Sequence, residues 1–239
     1  MTFDPKQLSA VFFDLDDTLV DTAGQLIEPA LRDAAGRMLE AGMVAEFDPL
    51  LEFLKEQASA GRGGNYFAGA AEHFRVTDSD RQAIVEAGRR AYFSRNVPDL
   101  RPLPGILRLL EKLRQRHYLF LVTAGDPATQ RAKVDRLALQ NAFDAIRWVD
   151  SVAGEEKLPV FREILERFHL EAGRCVCVGD RVISEIRDAN QLGMWTVRIR
   201  RGEFAAMDPA NPLETPDFTV TDTKELAALF DRRRREGLP

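Results

Sequence analysis

Three aspartates crowd one short stretch, Val11-Phe-Phe-Asp14-Leu-Asp16-Asp17-Thr18. Carboxylates so close repel one another and persist most readily where a cation or a reaction uses them. On an extended chain, side chains two residues apart point the same way. Asp14 and Asp16 could therefore face one spot and divide the labour of nucleophile and proton carrier. Further along lie Thr123-Ala124-Gly125, Lys157 and Gly179-Asp180. The Thr123 hydroxyl and the backbone N–H groups after it could bind an anion. Acids, a hydroxyl and an ammonium together suit a hard cation bridging to a phosphate, because the metal cancels repulsion between carboxylates and an anionic substrate.

These residues meet only if the chain brings strand ends together. Ala10-Val-Phe-Phe13 is a short apolar run rich in β-branched and aromatic residues, which suits a buried strand. Pro98, Pro102 and Pro104 mark a linker. Beyond it, residues 118–123, 145–149, 174–178 and 196–200 read as strands, with 218–220 as one more. Helices are expected over 105–116, from Asp126-Pro127, over 158–170 and 182–192, and after a cap at Asp222. The basic run 232–235 falls in the last turn of that final helix, where positive charge suits the dipole. Such alternation predicts a parallel sheet with helices on both faces, and ligands bind outside the carboxyl ends of its strands.

Residues 24–95 carry no strand pattern. Ile27, Leu31, Ala34, Ala35, Met38 and Leu39 recur at helical spacing. Asp48-Pro49 reads as a helix start, and Thr77 to Asp80 has capping-box spacing. Gly61-Arg62-Gly-Gly-Asn65 reads as a flexible loop. The fold class is therefore α/β: a Rossmann-like parallel sheet core from residues 1–20 and 98–239, with an inserted α-helical cap domain over 21–97.

Composition narrows the function. With 239 residues, 45% hydrophobic, 30% charged and a net charge of -5, the chain is ordinary globular protein with no electrostatic footprint for nucleic acid. No stretch approaches a membrane span and the N-terminus lacks the pattern of a signal peptide, so a cytoplasmic location is expected. Cys175 and Cys177, in Cys-Val-Cys, read as buried reduced thiols, and three scattered histidines argue against a zinc site. Oligomeric state is not legible.

The set Asp14-Leu-Asp16-Asp-Thr18, Thr123, Lys157 and Val178-Gly179-Asp180 resembles the four motifs of the haloacid dehalogenase superfamily, in that family's order. Its details resemble the phosphatase branch, including a Gly193-Met194 downstream of the last motif. The resemblance implies Mg²⁺-dependent hydrolysis of a small phosphorylated metabolite. Asp14 would attack phosphorus and form an aspartyl-phosphate. Asp16 would protonate the leaving oxygen and then take a proton from the attacking water. Mg²⁺ would be held by the Asp14 carboxylate, the Asp16 backbone carbonyl and Asp180. Thr123, Ala124, Gly125 and Lys157 would bind the phosphoryl oxygens. Asp17 has no side-chain role in this scheme, and Thr18 is expected to support the loop by hydrogen bonding.

Two positions depart from the pattern. Glu185 stands where the family usually carries Asp, and its extra methylene would let it reach a metal through water or tune the site for another divalent ion. Many relatives read Lys-Pro-x-Pro where this chain has Lys157-Leu-Pro159. In the inserted segment Arg62, Asn65 and Tyr66 are candidates for leaving-group contacts. Two other readings stay open here: 2-haloacid dehalogenation, which usually lacks the Asp16 carboxylate, and a non-catalytic phosphate-binding regulator.

Overall fold

The computed structural model describes residues 3–59, 66–93 and 100–231. Arg62, Asn65 and the basic run 232–235 lie outside the described residues. Six short runs become β1 (Ala10–Phe13), β2 (Tyr118–Gly125), β3 (Ala145–Asp150), β4 (Cys175–Gly179), β5 (Trp195–Ile199) and β6 (Phe218–Val220). They form one parallel sheet in the order β3-β2-β1-β4-β5-β6. β1 lies inside the sheet between β2 and β4, and all four of its residues are buried. A strand covered on both faces needs no polar alternation, which explains its uninterrupted apolar sequence. From β1 the chain builds outward through β2 and β3, then returns to place β4 on the other side. The order therefore reverses at β1, and the crevice of such a sheet opens at that reversal, beyond the strands' carboxyl ends.

The chain divides into two compact units, Met1–Asp21 with Asp99–Pro239, and Thr22–Pro98. The second is helical. A π-helical turn over Ala23–Ile27 leads into α1 (Glu28–Glu40), which has Pro29 in its first turn, where a missing N–H costs nothing. Then come α2 (Phe47–Ser59), α3 (Tyr66–His73) and α4 (Asp78–Phe93). Helix α2 opens one residue before the expected Asp48 cap, so Asp48 sits in its first turn. Helix α3 is too short and too rich in small residues to show a period in the sequence. Its Tyr66 is buried and packs its ring against Phe67 and Tyr92. Leu31, Met38, Leu50, Leu54, Phe67 and Ile84 fill the core of this unit.

In the sheet unit, α5 (Ile106–Arg114) follows Gly105, whose φ of 81° suits glycine. α6 (Pro127–Arg136) is capped by Asp126, whose carboxylate accepts the Thr129 N–H at 2.8 Å. α7 (Lys157–Arg167) packs Phe161 and Ile164 with Phe12, Phe120 and Cys177. The helix expected over 182–192 is broken: a π-helical turn, Val182–Ile186, carries non-helical backbone at Ser184 and precedes α8 (Arg187–Gln191). α9 (Thr223–Phe230) is capped by Asp222. Among the described residues no helix is long and apolar enough to cross a membrane.

Candidate active site

β1 ends at Phe13, but the next backbone N–H, from Asp14, still donates to the Val178 carbonyl at 3.0 Å. This fixes the start of the acidic loop against β4. Lys157, the first residue of α7, is buried and places Nζ 2.6 Å from Asp14 Oδ1 and 2.9 Å from Glu185 Oε2. The other Glu185 oxygen accepts the Arg181 N–H at 2.7 Å. Glu185 is 2% exposed, so it is no surface glutamate of a helix. Its stem lies against Gly179, where an added Cβ would come within 2.3 Å of its Cγ. The glycine ending β4 is there to admit Glu185.

Burial governs the charges of this group. It pushes the Asp14 carboxyl up to about 6, opposed by Lys157 and reinforced by Glu185 and Asp16. It pushes Asp180 well above the ordinary carboxylate range, with Glu185 and Asp14 adding to the effect. Burial alone would raise Glu185 as well, but Lys157 and Arg181 outweigh it and hold that carboxyl below its ordinary value. For Lys157 burial works against the ammonium, and the two carboxylates beside it overcome that and keep it charged.

Asp14, Asp180 and Glu185 bring carboxylate oxygens within 4.8 Å of one another. Without a cation this crowding disfavours the ionised forms of Asp14 and Asp180. Three oxygen donors so placed fit a hard divalent cation, whose charge would favour the carboxylates. The Asp16 side chain is outside this trio, so any part it has in holding a metal falls to its backbone carbonyl.

Asp16 is engaged elsewhere. Its Oδ1 accepts from Lys133 Nζ at 2.7 Å and its Oδ2 from Gln130 Nε2 at 2.8 Å. Each of the two acids thus has its own lysine, and the Asp16 charge still acts on Asp14. Gln130 Nε2 also lies 2.5 Å from Thr123 Oγ1 and 3.1 Å from the Ala124 carbonyl. β2 continues through Ala124 and Gly125, which pair in register with Val149 and Asp150 of β3, so these two residues extend the strand instead of forming a loop after it. Gln130 and Lys133 were not singled out from the sequence. The available signal was their place, four residues and one residue before the buried Val134, on an inward stripe of α6 that also leads to Leu137.

A second set of residues ties the strand tips together. Asp17 has φ 52° and its Oδ2 accepts the Glu203 N–H at 3.3 Å. A Cβ on Gly202 would lie 2.1 Å from Asp17 Cγ, so the neighbouring glycine makes room for that carboxylate. Arg198, buried in β5, donates from Nε to the Asp180 carbonyl at 3.2 Å and from an Nη to the Phe204 carbonyl at 2.7 Å. The Arg181 guanidinium lies 4.0 Å from the Phe204 ring centre, and Arg201 pairs with Asp21 at 3.2 Å. Asp17 thus has a structural task, docking segment 202–204 beside the acidic loop. Thr18 supports the loop through its backbone N–H, which donates to the Leu15 carbonyl at 3.3 Å, while its hydroxyl is buried with no hydrogen-bond partner among the described residues.

The sequence and the fold have counterparts among known proteins. The chain is 32% identical to glyceraldehyde 3-phosphate phosphatase of Pyrococcus furiosus, over 95% of both chains. It is 33% identical to the enzyme of that name from Methanopyrus kandleri, over 92% of this chain and 95% of the other. Magnesium-bound YfnB of Bacillus subtilis superposes with a TM-score of 0.66 at 18% identity, covering 94% of this chain and 99% of that one, and shares the fold. The family model for haloacid dehalogenase-like hydrolases matches residues 8–193, from just before β1 to just before β5. A stretch that holds Asp14, Asp16, Thr123, Lys157 and Asp180 in one continuous match makes this chain a member of the haloacid dehalogenase-like hydrolase family.

Proposed function

We propose that this chain is a Mg²⁺-dependent phosphomonoesterase that works through an aspartyl-phosphate on Asp14 and acts on a small phosphorylated metabolite. The observation that carries the reading is the buried Lys157–Asp14 pair, 2.6 Å apart, beside the carboxylates of Asp180 and Glu185. A carboxylate held by an ammonium stays ionised and aimed, as a nucleophile must. Asp14 attacks phosphorus in line, and the P–O bond to the leaving group breaks as Asp16 supplies that oxygen's proton. Water then attacks the acyl-phosphate, its proton passing to Asp16, which releases phosphate and restores Asp14. Lys157 and the Thr123 hydroxyl, with the backbone of Ala124 and Gly125, bind the phosphoryl oxygens. Asp14, Asp180 and the Asp16 carbonyl, with Glu185 directly or through water, would hold Mg²⁺. Bound there, the ion would neutralise carboxylate and phosphoryl charge.

The Asp16 carboxylate argues against haloacid dehalogenation, which needs no acid for its leaving group. The relatives named glyceraldehyde 3-phosphate phosphatase match nearly the full chain, so that triose phosphate is the first substrate to test. Substrate choice is assigned to the inserted helical unit as a cap, with Arg62 and Asn65 as positions to vary. A panel of phosphomonoesters, with and without Mg²⁺ and with a 2-haloacid as control, tests the reading. Phosphate release that requires Mg²⁺ is expected. Halide release without phosphatase activity would overturn it.

A further inference from the structure

We infer that Gln130 and Lys133 form a two-point clamp that positions Asp16 for proton transfer. The inference rests on the phosphatase reading above, in which Asp16 carries the proton. Each carboxylate oxygen accepts from one of the two side chains, at 2.7 Å from Lys133 and 2.8 Å from Gln130, and each oxygen has a second lone pair on which a proton can be carried. The donors stand three residues apart on α6 and so share a face of the helix. Both are buried, Gln130 at 2% and Lys133 at 7% exposure. Burying a lysine is costly unless a partner receives it. Helix packing alone would be met by leucine at position 133, beside Val134.

The clamp is itself braced. Gln130 lies against Thr123 Oγ1 and the Ala124 carbonyl, and Gly125, at φ 153°, lacks a Cβ where the Gln130 side chain passes, 3.2 Å from the position such an atom would take. The Asp126 cap fixes the start of the helix, and its bond to the Thr129 N–H, one residue before Gln130, sets the first turn. An aspartate with two rotatable bonds would otherwise sample several rotamers, and a proton carrier is efficient only when its oxygen is already near the atom it serves. Gln130 also joins Asp16 to Thr123, so the clamp sets the proton carrier relative to the phosphate-binding strand tip. Neither residue needs to touch substrate. They act through Asp16.

The test compares kcat/KM for an aryl phosphate with a good leaving group, p-nitrophenyl phosphate, against an alkyl phosphate with a poor one, glycerol 3-phosphate. Lys133→Met should lower the alkyl rate by about 10- to 100-fold and the aryl rate by no more than about 3-fold, because only the poor leaving group needs its proton. Lys133→Arg should restore most of the alkyl rate. In an Asp16→Asn background, Lys133→Met should cost no more than about 2-fold on either substrate, since the residue it positions is gone. Gln130→Leu removes the other point of the clamp and should show the same bias, so a Lys133→Met that fails to fold does not end the test. Equal losses on the two substrates, or the same loss with and without the Asp16 carboxylate, would overturn the clamp. If Asp16→Asn itself shows no leaving-group bias, Asp16 is not the proton carrier and both readings fall. If Asp16→Asn is biased and neither clamp variant is, the clamp alone falls.

Discussion

The two units of this chain bury different things. In the helical unit, Thr22–Pro98, the buried side chains are apolar, with Thr22 at its boundary as the one buried polar side chain among the described residues. The sheet unit buries Asp14, Asp17, Lys133, Lys157, Asp180, Glu185, Asp188 and Arg198. Apolar burial stabilises, by about 25 cal/mol for each Å² removed from water. Buried charge at best breaks even against an apolar replacement. The difference separates a unit whose packing serves stability from one whose buried groups are kept at a cost in stability, which is what a reacting site requires.

Substitutions can break or sharpen that contrast. The largest effect is expected from Asp14→Asn, which should lower phosphatase activity by about four orders of magnitude or more while the fold persists, as near-unchanged circular dichroism would show. In the helical unit the expectation is reversed. Phe67→Ala should cost about 3–5 kcal/mol of stability by denaturant unfolding, with the activity of the remaining folded protein keeping its Mg²⁺ requirement. Gly88→Ala, whose added Cβ would come within 2.9 Å of the Met38 side chain, should cost about 1–3 kcal/mol as that side chain is pushed off its rotamer. Asp180→Asn should do the opposite, raising the stability of EDTA-treated protein by about 1 kcal/mol because it removes a carboxylate that burial and its neighbours disfavour, and abolishing Mg²⁺-dependent activity. A loss of stability in that variant would contradict the contrast. The smallest effect concerns Cys175 and Cys177, both buried in β4 with burial pushing the Cys175 thiol up to about 12 and Cys177 well above its ordinary value. Native protein should resist alkylation of both, and react only when unfolded.

Most of the sheet was legible in the sequence because β1, β4 and the first five residues of β2 are uninterrupted apolar runs, and the acids after β1 and β4 stand out at their ends. The element boundaries moved by a residue or so, as with β2, which runs two residues past Thr123. What escaped was long-range pairing. Lys133 lies 117 residues from Asp16, and Glu203 lies 186 residues from Asp17. No local pattern announces such partners, although a lysine on an inward helical stripe and the arginine in the middle of β5 were visible anomalies. Glu185 read as a metal-facing residue from its place in the motif, but its seat against Gly179 is another fit that no local pattern announces. The break at Ser184 has no proline or glycine to signal it, and helix α3 is too short for a period.

Asp14 as the nucleophile is tested most directly by mass spectrometry of the enzyme acid-quenched during turnover with Mg²⁺ and a phosphomonoester. The peptide that contains Asp14 should gain the mass of one phosphoryl group, and the gain should vanish in Asp14→Asn together with activity. Sustained phosphate release with no modified Asp14 peptide, or full activity in Asp14→Asn, would contradict it.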